Sequence, residues 1–398
     1  MSLIVQKFGG TSVATSEHIR RVASRIAATH RAGHGVLAVV SAMGSMTDEL
    51  AALAAQVNPD PPAREMDMLL TAGERISMAL LAIALDVEGV QAMSLTGSQA
   101  GILTVGGHGA AEIHEIRSFR VQEGLDEGKV VIVAGFQGVD PTSKEVTTLG
   151  RGGSDVSAVS LAAAHSAEVC EIYKDVDGVF TADPKVVAEA RLLDRLSYDE
   201  MLAMATGGSQ VLMARALETG IRYGVPIHVR SAFHEGPGTW IGSEGQEGRL
   251  ICGVAHEPGA ALFSIEDGDQ TLRDDVVADI RASGSWVDIE GEHSADGIVL
   301  ALPESGVERA RGTLSRRHPR PKLSLETGLG RVSVVGSAIP ARYDLIESGR
   351  ATLDQQGIPV RLWVLASNRL TFYVDGPALS DSVRALHRHF EPPLIGGL

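Results

Sequence analysis

From residue 3 to about 230 the apolar positions alternate between two spacings. Short β-branched or apolar runs at 3–8, 36–41, 91–95, 130–136, 169–173 and 226–229 read as strands. Between the first two, Ile19, Val22, Ala23, Ile26 and Ala27 fall at i, i+3, i+4, i+7 and i+8 behind the capping candidates Thr15 and Ser16. That spacing predicts an amphipathic helix covering one face of a sheet. Met66, Leu69, Leu70, Ile76, Leu80 and Leu81 form a second stripe, and Val156, Val159 and Leu161 open a third directly behind the glycine-rich stretch 150–154. Strands alternating with helices predict an α/β fold, with glycines where strands turn into helices.

After Arg230 the character changes. Glu235-Gly-Pro-Gly-Thr and then Gly242-Ser-Glu-Gly-Gln-Glu-Gly read as a connector, which divides the chain into a domain at 1–241, a linker at 242–258 and a second domain at 259–398. The second domain holds two similar strand–helix–strand stretches, 260–311 and 331–374, the latter closed by a helix at 379–390, and so predicts a pair of small α+β modules. The basic stretch 309–322 between them reads as a solvated linker or helix end rather than an anion site.

Composition narrows the partners. Thirty-five basic against fifty acidic residues give a net charge of −15, which repels phosphodiester backbones and anionic lipid, so a small-molecule partner is favoured over nucleic acid or membrane. Cys170 and Cys252 stand far apart without ligand spacing, which excludes a disulfide framework or a usual zinc site and suggests a reducing cytosol. No run approaches the roughly 18 apolar residues of a membrane span, and MSLIVQKFGG lacks the features of a signal peptide, so a cytoplasmic location is expected. The 13 histidines show no H-E-x-x-H or similar clustering, and no metal site is assigned to them.

Four segments carry chemistry. The first is Lys7-Phe-Gly-Gly-Thr-Ser-Val13, where backbone N–H groups at Gly9 and Gly10 can approach phosphate oxygens, the following helix offers its positive end and Lys7 adds a mobile cation. The plainer reading, a turn with a surface lysine, is weakened because only six of the 35 basic residues are lysines and one stands here. The second is Thr147-Thr-Leu-Gly-Arg-Gly-Gly-Ser-Asp155, which opens a helix: Arg151 can clamp a carboxylate, the amides of Gly152 to Ser154 form an anion-binding concavity, and Asp155 adds a negative charge, a set suited to a zwitterion. Its spacing is not the dinucleotide fingerprint, and 124–129 is one residue short of a P-loop and reads as a helix cap. The third, Ile172-Tyr-Lys-Asp-Val-Asp-Gly-Val-Phe-Thr-Ala-Asp-Pro-Lys185, lacks the length and terminal Glu of a calcium loop and reads as a nucleotide loop. The fourth joins Ser41-Ala-Met-Gly-Ser-Met-Thr-Asp-Glu49 with Gly73-Glu74-Arg75, which taken alone read as caps and salt bridges.

With KFGGTSV at 7–13, SAMG at 41–44, PPAREMDMLLTAGERIS at 61–77, TGSQAG at 96–101, VAGFQGV at 133–139, TTLGRGGSD at 147–155 and YKDVDGVFTADPK at 173–185, in this order and spacing, the chain resembles the aspartokinases, most closely the actinobacterial form. The resemblance is strong over roughly 1–241. It implies an amino-acid-kinase α/β/α sandwich followed by a smaller α+β domain of two ACT-like modules. The implied reaction is ATP + L-aspartate → ADP + 4-phospho-L-aspartate, with Mg²⁺ carried by ATP.

The resemblance also implies roles. Lys7 with Phe8, Gly9 and Gly10 would hold the transferring phosphate, with Ser41 beside it. Ser45, Thr47, Asp48, Glu74, Leu125, Asp126, Arg151, Gly152, Gly153 and Ser154 would bind substrate, Glu74 taking the ammonium and Arg151 the α-carboxylate. Asp155 would organise the reacting groups. Tyr173, Lys174, Asp175, Val179, Phe180, Thr181, Ala182, Asp183, Pro184 and Gln210 would hold the nucleotide. The attacking carboxylate is already anionic and needs no strong base, so catalysis rests on alignment and on cancelling the repulsion of two anions.

Three departures from the family pattern bear on activity. Gln210 stands where a lysine is usual, Lys174 where Ser or Thr is usual, and Met46 where the substrate loop usually has Thr. Lys174 either restores the charge lost at Gln210 or is a solvated lysine. The loops that would grip an amino-acid effector are replaced by Asp267-Gly-Asp-Gln270 and Pro340-Ala-Arg-Tyr343, with Pro359 and Arg361 in the segment that usually receives it. Weak or absent feedback by lysine and threonine is therefore expected, together with a homo-oligomer formed through the second domain. Two rival readings stay open: a catalytically silent ligand-binding homologue, and a kinase of a related acidic amino acid.

Overall fold

The computed structural model describes residues 2–245, 251–266, 270–282, 286–289, 298–317, 322–337, 339 and 344–390. They group into two compact units. One comprises Met1–Val179, Leu192–Tyr198 and Val211–Gly245; the other comprises Phe180–Arg191, Asp199–Gln210 and Gln246–Leu398.

The first unit begins with β1 (Leu3–Phe8), α1 (Ser16–Arg31), β2 (Gly35–Val40), α2 (Met46–Val57), α3 (Ala63–Val87) and β3 (Ala92–Leu95). A hairpin of β4 (Ile102–Val105) and β5 (Glu112–Ile116) leads to α4 (Phe119–Asp126), β6 (Val130–Ala134), β7 (Gln137–Val139) and β8 (Val146–Thr148). Next come α5 (Gly153–Ala164), β9 (Val169–Lys174) and β10 (Arg195–Ser197), then α6 (Tyr198–Thr206), which from Asp199 on belongs to the second unit, and back in the first unit α7 (Ala214–Tyr223), β11 (Ile227–Ser231) and β12 (Thr239–Gly242). The main sheet has the order β10-β12-β11-β9-β1-β2-β6-β3. Strands β11, β9, β1, β2, β6 and β3 are parallel, and β12 runs against β11. A smaller sheet, β5-β4-β7-β8, was not legible as strands in the apolar pattern because its members are short and partly polar.

Local signals account for α1 well. Thr15 accepts a hydrogen bond from the His18 N–H at 3.2 Å, and Ile19, Val22, Ala23, Ile26 and Ala27 are the residues the helix buries. They pack with Leu81, Leu85, Val36, Val40 and Ile132 on one sheet face. On α3 the outcome differs from the expected stripe. Ile76 and Leu80 are exposed, whereas Asp67, Thr71, Gly73, Glu74, Ser77, Leu81 and Leu85 are buried. Only the last turns of α3 cover the apolar sheet; the earlier turns lie against the smaller sheet and the turn after β2, where Asp67, Thr71 and Glu74 meet Thr148, Gln137 and Ala42.

The second unit is built on β13 (Gly253–Glu266), α8 (Gln270–Ala282), β14 (Asp288–Ile289), β15 (Ile298–Pro303) and α9 (Val307–Arg317). It continues through β16 (Lys322–Val335), α10 (Asp344–Gln355), β17 (Leu362–Ala366), β18 (Arg369–Asp375) and α11 (Leu379–His389). Among the described residues these form a six-stranded antiparallel sheet, β14-β15-β13-β16-β18-β17. Phe263, Ile265, Val276 and Ile280 fill one core cluster, and Val332, Phe372, Val383 and Leu386 fill another. Strand β13 begins at Gly253, inside the stretch read as linker, because its first residues pair with Val335 and its neighbours. Of the altered effector loops, 267–269 and 340–343 lie outside the described residues. Arg361 is described and is paired with Asp375 at 3.1 Å.

Candidate functional site

Strands β1, β2, β6 and β9 run in one direction, so Phe8, Val40, Ala134 and Lys174 close the same sheet edge. The chain leaves β1 for β2 on one side and later returns as β9 on the other. Such a switch point opens a crevice at the strand ends. Successive side chains point to opposite faces. Phe8 stacks on Tyr173 with ring centres 4.8 Å apart on the α1 face, while Lys7 and Lys174 turn toward α5.

There the two lysines share one carboxylate. Lys7 Nζ lies 2.6 Å from Asp155 Oδ1, and Lys174 Nζ lies 2.9 Å from Asp155 Oδ2. Lys7 and Asp155 are buried, and the Lys174 side chain is 20% exposed. Burial alone would raise the Asp155 carboxyl, but the two ammonium groups outweigh it and hold its pKa at about 2. Burial pulls the Lys7 amine below its ordinary value, against the raising effect of Asp155. The reading of Lys174 as a solvated lysine is therefore overturned: β9 delivers its amine to a buried acid.

Next to the lysines, Gly9 and Gly10 carry the chain across the edge. A Cβ on Gly10 would stand 2.9 Å from the Ala42 carbonyl oxygen and 3.0 Å from that of Gly44, so no larger residue fits. The Gly44 N–H donates to the Gly10 carbonyl at 3.0 Å, and the Ser41 N–H to the Phe8 carbonyl at 3.1 Å, which ties the two turns together. Glu74 joins them from α3. Its Oε1 accepts from the Ala42 N–H at 3.0 Å, while its buried Oε2 has no hydrogen-bond donor. Burial pushes Glu74 up to about 7. A buried acid with one bare oxygen is an open position for a cationic group. Thr47 is half-buried in the first turn of α2; Ser45 and Asp48 are exposed there, and the Ser45 hydroxyl donates to Glu49 at 2.5 Å.

The glycine-rich loop closes the site through α5. Gly152, at φ +71°, precedes the helix in a left-handed conformation, and Gly153, Ser154 and Asp155 are buried in its first turn. The positive end of α5 thus opens beside Asp155. Gly135 passes so close that a Cβ on it would be 2.8 Å from the Ser154 Cβ. Arg151 is exposed, with no ion pair among the described residues. The sequence reading missed what holds this loop. Thr148 is bound by the buried Asp67, and Leu149 by Arg215; Asp67 could have been found as the lone acid inside an apolar stretch of α3.

Other expected members are placed apart from this group. Leu125 and Asp126 end α4, just ahead of β6, and therefore stand at the opposite sheet edge, about 15 Å away over the five residues of that strand. The Tyr173 ring is buried against Phe8 with its hydroxyl donating to Glu171 at 2.8 Å, so only its backbone faces the crevice, where its carbonyl accepts from the Gly9 N–H at 3.4 Å. Asp175 is exposed beyond β9, and Val179 is buried with its N–H on the Thr239 hydroxyl at 2.8 Å. Phe180, Thr181, Ala182, Asp183, Pro184 and Gln210 belong to the second unit. There Thr181 hydrogen-bonds His387 at 2.8 Å, Ala182 joins a core cluster, and Gln210 is exposed. A cavity of about 300 Å³ lies elsewhere, among β5, α5 and α7. Of the two arginines that line it, Arg215 is already bonded to backbone carbonyls, whereas the strand ends assemble buried charges of both signs.

Residues 2–231 match the model of the amino acid kinase family. The chain is 44% identical over 405 residues to the aspartokinase of Mycolicibacterium smegmatis, covering 98% of this chain and 96% of that one. It is 42% identical over 412 residues to that of Corynebacterium glutamicum, covering 100% and 97%. Among solved structures, E. coli aspartokinase III in complex with aspartate and ADP in its R-state aligns with a TM-score of 0.85 at 24% identity, over 97% of this chain and 99% of that one, which bears on the fold. A family model that spans more than half of the sequence, and relatives above 40% identity over nearly all of it, make this chain a member of the aspartokinases.

Proposed function

We propose that the crevice at the ends of β1, β2 and β9 transfers the γ-phosphoryl group of ATP to the side-chain carboxylate of L-aspartate, releasing ADP. The observation that carries this reading is the pair of ammonium groups, Lys7 and Lys174, held on one buried carboxylate beside Gly9 and Gly10. A carboxylate oxygen of aspartate attacks the γ-phosphorus in line, a P–O bond forms, and the bond to the bridging oxygen breaks. No proton has to move. The obstacle is repulsion between two anions, which for unit charges 4 Å apart amounts to about 4 kcal/mol at an effective dielectric of 20. Lys7 and Lys174 offset it, with Asp155 fixing where their charges stand. Mg²⁺ supplies further neutralisation on the ATP phosphates when bound. Glu74 receives the substrate ammonium at its bare Oε2 and Arg151 receives the α-carboxylate as a two-pronged clamp.

Purified protein incubated with ATP, Mg²⁺ and a panel of acidic amino acids tests this. ADP release that depends on aspartate, with the acyl phosphate trapped as a hydroxamate, is expected. No turnover with any member of the panel would leave the silent homologue standing. Turnover with a relative of aspartate in preference to aspartate would move the substrate, a reading favoured only by Met46, whose sulfur stands 3.7 Å from where a Cβ on Gly73 would lie. The second unit joins copies of the chain and answers weakly or not at all to lysine and threonine in this reading. The buried thiols Cys170 and Cys252, neither of them in a disulfide, support a reducing, cytosolic setting.

A further inference from the structure

Asp67 lies outside the groups assigned to aspartate and ATP, yet its carboxylate is fully engaged. It is 1% exposed and sits on α3, seven residues before Glu74. Its Oδ1 accepts from the Thr148 hydroxyl at 2.6 Å and the Gly109 N–H at 3.1 Å. Its Oδ2 accepts from the Thr148 N–H at 3.0 Å and lies 2.8 Å from His108 Nδ1. A carboxylate offers about four acceptor positions, and here four groups meet them.

Thr148 stands three residues before Arg151, and its surroundings repeat the pattern. The Thr148 carbonyl accepts from the Ala111 N–H at 2.9 Å, and the Leu149 N–H donates to the Phe136 carbonyl at 2.9 Å. From α7, Arg215 donates to the Leu149 carbonyl at 2.8 Å and to the Ala111 carbonyl at 3.1 Å. Every backbone N–H and C=O of Thr148 and Leu149 is thereby tied. Beyond them come Gly150 and Gly152, both at positive φ, with Arg151 exposed between them. Glycines on both sides would let a long side chain wander, so the place of its guanidinium depends on where the root of the loop is held.

We propose that Asp67 is a positioning residue for substrate binding: its carboxylate fixes the root of the Arg151 loop through Thr148 and the β4–β5 turn, while Arg215 holds the same root from the other side. The proposal rests on the reading of Arg151 as the clamp for the substrate α-carboxylate. Asparagine at 67 keeps the volume but turns an N–H₂ group toward donors, so the loop must shift to avoid it.

Steady-state kinetics of the full chain carrying Asp67→Asn, with thermal unfolding as a check on folding, tests this. The aspartate KM should rise fivefold or more while the ATP KM stays within twofold and kcat changes less than the aspartate KM. A smaller rise, or an equal rise in both KM values, overturns the proposal. If Asp67→Asn does not fold, Thr148→Val decides, since it removes only the hydroxyl donor: a threefold or greater rise in the aspartate KM alone is expected, and anything less overturns it. Where both fold, the double variant should be no worse than the more severe single, because the contact that Thr148→Val removes is one of those that Asp67→Asn disturbs; additive effects count against it. Arg151→Ala is measured alongside. An unchanged aspartate KM there removes the clamp reading and the proposal with it, whereas a raised KM there with a normal one in Asp67→Asn removes the proposal alone.

Discussion

Asp155 is held in place by the charges it organises. With both oxygens covered by ammonium groups, its removal leaves Lys7 buried and Lys174 nearby without a counter-charge, so their positions spread. Lys7→Ala and Asp155→Ala should each lower kcat by about a hundredfold or more, measured by coupled ADP release at saturating substrates. Near-normal kcat in either would remove this mechanism. Glu74 makes a prediction of a different kind. Its carboxyl is raised to about 7 in the folded chain, so the folded state holds a proton that the unfolded state releases near the ordinary carboxylate value. Its contribution to stability is complete below about 4.5 and is lost as pH rises toward 7, on the order of 3 kcal/mol in all. Glu74→Gln should flatten that part of a stability–pH curve taken without substrate. Since an ammonium favours the ionised form, the aspartate KM should fall as pH goes from 6 to 7.5 in the wild type, and a KM that is flat over this range would argue against Glu74 as the ammonium partner.

At the scale of elements, α5 and α3 show how the site constrains its supports. Helix α5 is buried from Gly153 through Ala162, and its start requires the left-handed turn at Gly152. A Cβ there would lie 2.0 Å from Met213 Cγ on the approach to α7. Gly152→Ala combines a left-handed penalty of roughly 1–2 kcal/mol with overpacking of roughly 1–3 kcal/mol, so urea unfolding should report a loss of about 2–5 kcal/mol. Because Arg151 is adjacent, the aspartate KM should rise with it; a variant as stable as the wild type would mean that the turn relaxes freely. In α3 the polar inner face is what an element pays in packing for reaching the strand ends. Asp67, Thr71 and Glu74 face Thr148 of β8, the Gln137 side chain of β7 and the turn at Ala42, and the apolar residues Ile76 and Leu80 are left on the outside.

For the whole molecule, the second unit bears on regulation. An effector shifts an equilibrium only by binding two states differently, and its ammonium needs a free acid. Among the described residues of that unit, the buried Asp288 is already closed by Arg369 at 2.7 Å and the Tyr373 hydroxyl at 2.6 Å. Because the segments that would grip an effector are replaced in sequence at 267–270 and 340–343, phosphorylation assayed with millimolar lysine, threonine or both should stay above half of its uninhibited rate, whereas stronger inhibition would require an effector affinity in the millimolar range or better. Light scattering at micromolar protein should report an oligomer, and a monomer would remove the expected association through this unit.

Sequence alone determined the strands at 3–8 and 169–173, the latter one residue short of its observed end, the buried face of α1, the glycine turns at 9–10 and 150–153 and the family to which they belong. These are near-neighbour properties, set by spacing, capping and the few residues that a tight turn accepts. Tertiary structure alone decided that Lys174 meets Asp155, that Leu125 and Asp126 close the far edge of the sheet, and that Asp67 reaches Thr148 across 81 residues. The physical reason is sheet order. Which strand lies beside β1, and which end of each helix faces the loops, follows from packing among segments distant in the chain, and the periodicity of any one segment carries no record of its neighbours.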